Sequence, residues 1–216
     1  MHIPDGFVDL PTALATGALA AGGVGYASWR LSRTLAPEKV PLLGVAGAFV
    51  FAGQMVNFPV AGGTSGHLLG AALVTLLLGP WAAMLVITSV LVVQCLVFQD
   101  GGLSALGANV LNMAVIGPLV AAGVSGAGQS LFRGPRGRWV AAGGAAWATV
   151  VAAALAAALE LIVSGTAPAV VVLPAMVGVH ALIGLGEAAL TVGALAAVVA
   201  ARPDLWPVRP RAEVQL

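Results

Sequence analysis

The sequence predicts an all-α, polytopic membrane protein: a bundle of seven transmembrane helices with the N-terminus outside and the C-terminus in the cytoplasm. Composition is the first observation behind this prediction, and the placement of the basic residues is the second. Of the 216 residues, 60% are hydrophobic and 8% are charged, and the mean hydropathy is +1.03. Soluble domains are about 45–50% apolar and about 25% charged, so the composition excludes a soluble domain.

The same composition excludes three other classes of protein. The apolar content is too high for a disordered chain. Cys95 is the only cysteine, which excludes a disulfide-bonded secreted scaffold. Nine basic residues and a net charge of +1 leave no broad basic face for a nucleic acid. The expected surroundings are a lipid bilayer, with no nucleic-acid partner.

Seven apolar segments supply the predicted helices, since a bilayer core of about 30 Å requires about 20 apolar residues in a helix. The segments cover residues 10–31, 41–58, 66–79, 80–98, 104–127, 139–163 and 172–201. The third segment is short and ends at Gly79-Pro80, which is typical of a helix that stops partway and lines a site. The alternative is a single kinked helix over 66–98.

The basic residues follow the first, fifth and seventh segments: Arg30, Arg33, Lys39; Arg133, Arg136, Arg138; Arg202, Arg209, Arg211. With seven spans all three groups fall on one face, which the positive-inside rule makes cytoplasmic. Met1 is therefore expected outside and the C-terminus inside. The chain start lacks the cationic region of a signal peptide, so none is expected. Residues 1–201 are predicted to form a single transmembrane domain, and residues 202–216 a cytoplasmic tail.

Ten polar residues map to the outer half of the predicted bundle: Gln54, Asn57, His67, Gln94, Gln99, Asp100, Asn109, Asn112, Glu160 and His180. Polar groups in hydrocarbon tend to face one another or a cavity, which predicts an outward-facing polar pocket. Interhelical hydrogen bonding is the alternative for any one of them. His180 and Glu187 share a face of the last helix. A supporting role is favoured for this pair over gating or proton coupling.

Two further patterns bear on partners and on chemistry. Small residues recur at every fourth position of the first segment, which indicates either a partner contact or internal packing: Ala13, Gly17, Ala21 and Gly25. The sequence contains no GxxxxGK[ST] phosphate loop and no HExxH zinc helix, and its three histidines suggest no Ser/His/Asp arrangement. An enzyme is therefore not expected.

The chain start supports a metal site. Met1 is expected to be retained because His2 is bulky. The Met1 amine, the His2 amide nitrogen and the His2 Nδ1 can chelate one ion, and another histidine would complete a square of nitrogens. His67, in a Gly-rich turn on the same face, is the candidate, although a hydrogen bond to a nearby carbonyl would equally explain it. Tetragonal nitrogen ligands favour Ni(II) or Cu(II), and imidazole also suits cobalt.

The start MHIPDGF resembles the CbiM/NikM family, the substrate-binding S components of energy-coupling-factor (ECF) transporters for cobalt and nickel. Three further stretches resemble it: PVAGGTSGHLLGAAL at 59–73, GPWAAMLVITSVLVVQCLVFQDGGLSALGANVLNMAVIGP at 79–118 and HALIGLGEAALT at 180–191. The resemblance implies that the Met1 amine, the His2 amide and ring nitrogens and His67 hold the metal. The start is slightly more similar to the nickel branch.

The resemblance also implies partners and a cellular place. It implies a membrane scaffold (T) subunit, two cytoplasmic ATPase subunits and a small companion membrane subunit, in the plasma (inner) membrane of a prokaryote. Ni²⁺ or Co²⁺ would be the transported substrate, with no organic cofactor. Two alternatives are a proton-coupled secondary metal carrier that uses Glu187, and an intramembrane metallo-enzyme with His67, His180 and Glu187.

Overall fold

The structure, a computed structural model, describes residues 1–60 and 64–205, apart from the side chain of Leu205. The described part of the chain forms seven α-helices: α1 (Leu10–Thr34), α2 (Val40–Gln54), α3 (Ala71–Leu78), α4 (Pro80–Phe98), α5 (Leu106–Leu131), α6 (Pro135–Val163) and α7 (Ala169–Ala201). Short 3-10 helices follow α1 and α7. The predicted cytoplasmic tail lies outside the described residues from residue 206 onward. The prediction of a predominantly helical chain is confirmed.

Four helices, α4 to α7, are long and apolar enough to cross a membrane. The other three differ from them in length or composition. Helix α1 has 25 residues, α2 has 15 and α3 has 8. Because an α-helix rises about 1.5 Å per residue, α3 is about 12 Å long, which is too short to cross a bilayer core of about 30 Å by itself. The seven-span count and the orientation remain predictions.

Gly79 separates α3 from α4. Its backbone has φ 86° and ψ 164°, a conformation that glycine adopts without steric cost. Pro80 then occupies the first turn of α4, where its missing N–H leaves no hydrogen bond unmade. The apolar stretch from residue 66 to 98 therefore contains two helices rather than one kinked helix.

A small β-hairpin, which the predicted segments do not include, lies between α2 and α3. Strand β1 (Phe58–Val60) pairs antiparallel with β2 (Thr64–Gly66). The sequence prediction had continued the second helix to residue 58 and begun the third at 66, whereas α2 ends at Gln54 and α3 begins at Ala71. Pro59 has no backbone N–H, and Gly70 has φ 74°; both features disfavour a helix, although hydropathy does not register them.

The helices pack through small residues. Helix α6 lies between α5 and α7 and buries a face of eight alanines: Ala141, Ala142, Ala145, Ala146, Ala153, Ala154, Ala157 and Ala158. Helix α1 packs on α4 and α5, and a β-carbon at Gly107 of α5 would come within 2.5 Å of Gly17 Cα. The first half of the small-residue stripe on α1 thus contributes to internal packing, while Ala21 and Gly25 are exposed.

The N-terminal segment, residues 1–9, lies at one end of the bundle, together with the α2–α3, α4–α5 and α6–α7 connections. The Ser104 backbone N–H donates to Asp5 Oδ1 (2.7 Å), and the Thr166 hydroxyl donates to the Phe7 carbonyl (2.6 Å). Asn57 Nδ2 donates to Asp100 Oδ2 (2.9 Å). The described basic residues lie at or beyond the opposite ends of their helices, in agreement with the prediction that they share one face.

Candidate metal centre

The first three residues lie inside the protein rather than on its surface. Met1 and Ile3 are fully buried, and His2 is 4% exposed. The Asn109 side chain of α5 bonds the backbone of Ile3 on both its N–H and its carbonyl. Chain-terminal residues of most domains are poorly ordered unless something holds them. Here hydrogen bonds and burial bring the start of the chain into the bundle.

The two backbone nitrogens of the predicted ligand set converge on Ser65 of β2. The Met1 amine donates to the Ser65 carbonyl oxygen and lies 3.2 Å from the Ser65 hydroxyl oxygen. The backbone N–H of His2 donates to the same hydroxyl oxygen at 3.2 Å. The hairpin thus brings the residue two positions before His67 against the chain start.

His67 follows β2 and is buried. Its Nδ1 lies 2.8 Å from the carbonyl oxygen of Leu68. Since a carbonyl oxygen only accepts, Nδ1 carries the proton and Nε2 carries the free lone pair. Nε2 is buried and has no hydrogen-bond partner within the described residues. The His2 and His67 ring centroids are 4.6 Å apart, so the structure brings the three predicted ligand residues together.

Glu187 on α7 and Gln54 on α2 hold the backbone that follows His67. The Leu69 N–H donates to Glu187 Oε2 (2.8 Å), and the Gly70 N–H donates to Glu187 Oε1 (2.6 Å). Gln54 Nε2 donates to the Leu69 carbonyl (2.8 Å). These bonds agree with the supporting role favoured for Glu187, because both of its carboxylate oxygens fix the segment that carries the histidine.

Burial leaves the nitrogens of the site uncharged. It lowers the pKa of the Met1 amine from 8.0 to about 4, against a smaller opposing effect of Asp100. Burial, and then the nearby amine, lower the pKa of His2 from 6.5 to about 3. The pKa of His67 is lowered by the same two causes, burial being the larger. At neutral pH these groups therefore carry the lone pairs that a metal ion requires.

The other polar residues of the predicted outer half have the following positions and contacts. His180 Nδ1 lies 2.7 Å from the Met176 carbonyl oxygen, and the ring is buried. Asp100 Oδ2 lies 3.8 Å from His2 Nε2. Asn112 donates to Glu160 at 2.7 Å. Gln94 is buried, whereas Gln99 is exposed at the end of α4.

Sequence reasoning missed two contributions to the site. Ser65 lies within the quoted GGTSGH stretch, but its hydroxyl was not singled out as the acceptor for the chain start. Asn109 was noted only as one of the outer polar residues. Its partner is the backbone of Ile3, and a backbone group gives no signal in the sequence.

The chain is similar to proteins that transport cobalt and nickel. The family model described as the cobalt uptake substrate-specific transmembrane region matches residues 2–205. The chain belongs to the CbiM family. A fused nickel transport protein of Rhodobacter capsulatus is 40% identical over 225 residues, which cover 97% of this chain and 65% of the relative. A cobalt transport protein of Pelobacter propionicus is 36% identical over 126 residues, 57% of this chain and 56% of that protein.

A solved structure supports the same assignment. The crystal structure of a truncated transition metal transporter matches this CbiM-family chain with a TM-score of 0.87 and 32% sequence identity. The match covers 93% of this chain and 99% of the other. The chain is therefore a cobalt or nickel transport component with membrane-spanning helices, and its relatives are transport proteins rather than enzymes.

Proposed function

We propose that this chain is the substrate-capture component of an ATP-driven ECF importer, and that it binds Ni²⁺ or Co²⁺ through Met1, His2 and His67 at the outer face of the membrane. One observation carries the proposal. The chain-start amine, the His2 ring and the His67 ring lie close together in the interior of the protein, where burial keeps them uncharged.

The chemistry of this donor set fits a transition metal of the nickel and cobalt type. Three donors come from the first two residues: the Met1 amine, the His2 amide nitrogen and the His2 ring. His67 Nε2, which has its lone pair free, is the fourth. Four nitrogens favour tetragonal Ni(II) or Cu(II), and imidazole also suits cobalt. The His2 amide loses its proton on binding, so the affinity rises with pH. The ion is the transported substrate, and no organic cofactor is proposed.

The proposed partners supply the energy and the movement. Two cytoplasmic ATPase subunits hydrolyse ATP and a membrane scaffold subunit transmits the movement, which is consistent with the lack of a phosphate loop in this sequence. A small companion membrane subunit completes the assembly in the plasma membrane of a prokaryote. The seven-helix bundle lies in this membrane, with Met1 outside. The N-terminal segment closes over the bound ion, and reorientation of the chain releases it inward.

An added N-terminal extension tests the role of the amine. Placing Gly-Ser before Met1 converts its amine into an amide and moves the free amine about 7 Å along an extended chain. Every side chain remains, but the first chelate ring is lost. We expect the extended protein to fold and to lose tight Ni²⁺ and Co²⁺ binding in calorimetry.

The matched control carries Gly-Ser after Leu216 and should bind both metals as the untagged protein does. Mass spectrometry first verifies the N-terminal residue of each preparation. Equal affinity in the two forms would remove the amine from the ligand set, and with it the square of four nitrogens.

The two alternative functions both depend on Glu187. Its two carboxylate oxygens already accept the Leu69 and Gly70 backbone N–H groups, which argues for a fixed support rather than a proton carrier or a metal ligand. A self-sufficient proton-coupled carrier would accumulate metal in proteoliposomes without ATP or partners. We expect no such accumulation by the purified chain.

A further inference from the structure

Asn109 makes a two-point contact with the backbone of the N-terminal segment. Its Oδ1 accepts the Ile3 N–H at 2.8 Å, and its Nδ2 donates to the Ile3 carbonyl at 3.0 Å. Asn109 is 2% exposed and Ile3 is fully buried. One side chain thus satisfies both backbone groups of one residue, as a neighbouring strand would do in a sheet.

The surroundings of this contact leave the segment little freedom. The Gly102 N–H donates to the same Ile3 carbonyl at 2.9 Å. A β-carbon at Gly102 would lie 2.3 Å from the Asp5 backbone nitrogen, so only glycine permits this approach. The Ile3 nitrogen is joined directly to the His2 carbonyl carbon. A clamp at Ile3 therefore fixes the point from which the two preceding residues reach into the pocket.

We propose that Asn109 is a positioning residue. Its hydrogen bonds to the Ile3 backbone hold the Met1 amine and the His2 nitrogens close to His67. The inference rests on the proposed function for its effect on metal binding, but the clamp itself exists apart from any metal. Its contacts are to the backbone, so the side chain of residue 3 is not what Asn109 recognises. A purely structural asparagine would stabilise α5 without governing the position of the chain start.

Asn112 provides a matched control on the same helix. It is 1% exposed, lies three residues after Asn109 and donates to Glu160. Among the described residues it makes no hydrogen bond to the N-terminal segment. Leucine has the same number of side-chain heavy atoms and the same branching as asparagine but forms no hydrogen bonds. N109L and N112L therefore remove one buried asparagine each, and only N109L removes the clamp.

Metal affinity is the first readout. We expect N109L to weaken Ni²⁺ binding at least tenfold in calorimetry, equivalent to about 1.4 kcal/mol. N112L should stay within threefold of the natural chain. Equal affinity of folded N109L and the natural chain would overturn the positioning role.

Reactivity of the chain-start amine is the second readout and needs no metal. Lys39 is the only lysine, so the Met1 and Lys39 amines are the only two primary amines, and Lys39 serves as an internal reference. An amine-acylating reagent should label Met1 far less than Lys39 in the metal-free natural chain and in N112L. In N109L the Met1-to-Lys39 ratio should rise at least tenfold. An unchanged ratio in folded N109L would overturn the clamp.

A measurement on the natural chain covers the case in which N109L fails to fold. Hydrogen exchange of the Ile3 amide in the metal-free protein should be strongly slowed, because that amide is buried and bonded. Exchange at the rate of an unstructured peptide would overturn the proposal without any variant. If the natural chain binds neither metal, the proposed function fails, whereas the labelling ratio and the Ile3 exchange still decide on the clamp.

Discussion

His67 and His180 show how two histidines with the same local bonding acquire different expected roles. Each has Nδ1 near a backbone carbonyl oxygen and a buried Nε2. Only His67 has a ring contact with His2. The positions of the candidate ligands followed from the sequence, because a chain start and a histidine motif are visible there. The sequence does not show which ring nitrogen of His67 carries the proton, because that depends on the contact of Nδ1 with the Leu68 carbonyl oxygen.

This difference predicts unequal effects of two alanine substitutions. His67→Ala removes the proposed fourth nitrogen, so Ni²⁺ and Co²⁺ affinity should fall by at least a hundredfold in calorimetry while the melting temperature changes little. His180→Ala is the control and should retain metal with weaker affinity at most. Comparable losses in both variants would mean that His180 is a ligand.

The buried amine and imidazole predict that the stability of the metal-free protein depends on pH. The Met1 amine has a pKa of about 4 in the fold against 8.0 ordinarily, so between these values the unfolded chain binds a proton that the folded chain does not. Stability therefore rises with pH across this window, by about 1.4 kcal/mol per pH unit for one group. His2 adds a second contribution between about pH 3 and 6.5.

Thermal melting in detergent at pH 5, 6.5 and 8 measures this slope. The melting temperature should be higher at pH 8 than at pH 5, because the Met1 amine, His2 and His67 are all harder to protonate in the folded chain. His2→Ala removes one imidazole and should reduce the change in melting temperature between pH 5 and pH 6.5. A natural chain that melts at the same temperature throughout would contradict the burial of a neutral amine.

At the scale of elements, the long helices were predictable and the segment that carries the site was not. Helix α4 matches its predicted apolar segment at both ends, because Pro80 and the end of the apolar run mark them. The β-hairpin before His67 was predicted as the end of one helix, a turn and the start of the next. Its strands are three residues each, too short to show an alternating pattern, and tertiary contacts to α7 hold them.

The link between Glu187 and the His67 segment predicts a coupled loss of stability and affinity. Glu187→Ala leaves two backbone N–H groups without an acceptor, each costing about 1–3 kcal/mol if it stays buried. We expect a lower melting temperature and at least tenfold weaker metal binding.

Glu160→Ala is the matched control, since it removes the same side chain from a buried position that bonds Asn112. It should lower the melting temperature yet leave the metal affinity within threefold. If both variants bind metal equally well, Glu187 contributes only to the stability of the fold.

For the whole molecule, the structure places the site and the basic residues at opposite ends of one bundle. The N-terminal segment meets the connections around residues 57, 100, 104 and 166 at one end. Arg30, Arg33 and the connection between α5 and α6 lie at the other. Positive residues favour the cytoplasmic side, so this separation predicts that the site faces outward.

Topology mapping tests this orientation. A reporter fused after Leu216 or inserted between Gly134 and Gly137 should lie in the cytoplasm. A cysteine at Leu103, which is 63% exposed, should react with a membrane-impermeant thiol reagent added from outside, in a background in which the buried Cys95 is replaced by serine. An external reporter at 134–137 would rule out the seven-span arrangement.

The hydrogen bonds that hold the N-terminal segment join residues that are far apart in the sequence, which affects how the protein is synthesised. Residues 1–3 are synthesised 63 to 106 residues before their hydrogen-bond partners, and Phe7 is synthesised 159 residues before Thr166. During much of synthesis the first residues therefore lack the partners that hold them in the finished protein. A chain arrested after Phe98 would contain Met1, His2 and His67 and still lack Asn109. Metal capture is thus expected to appear late in biogenesis, after the fifth helix has entered the membrane.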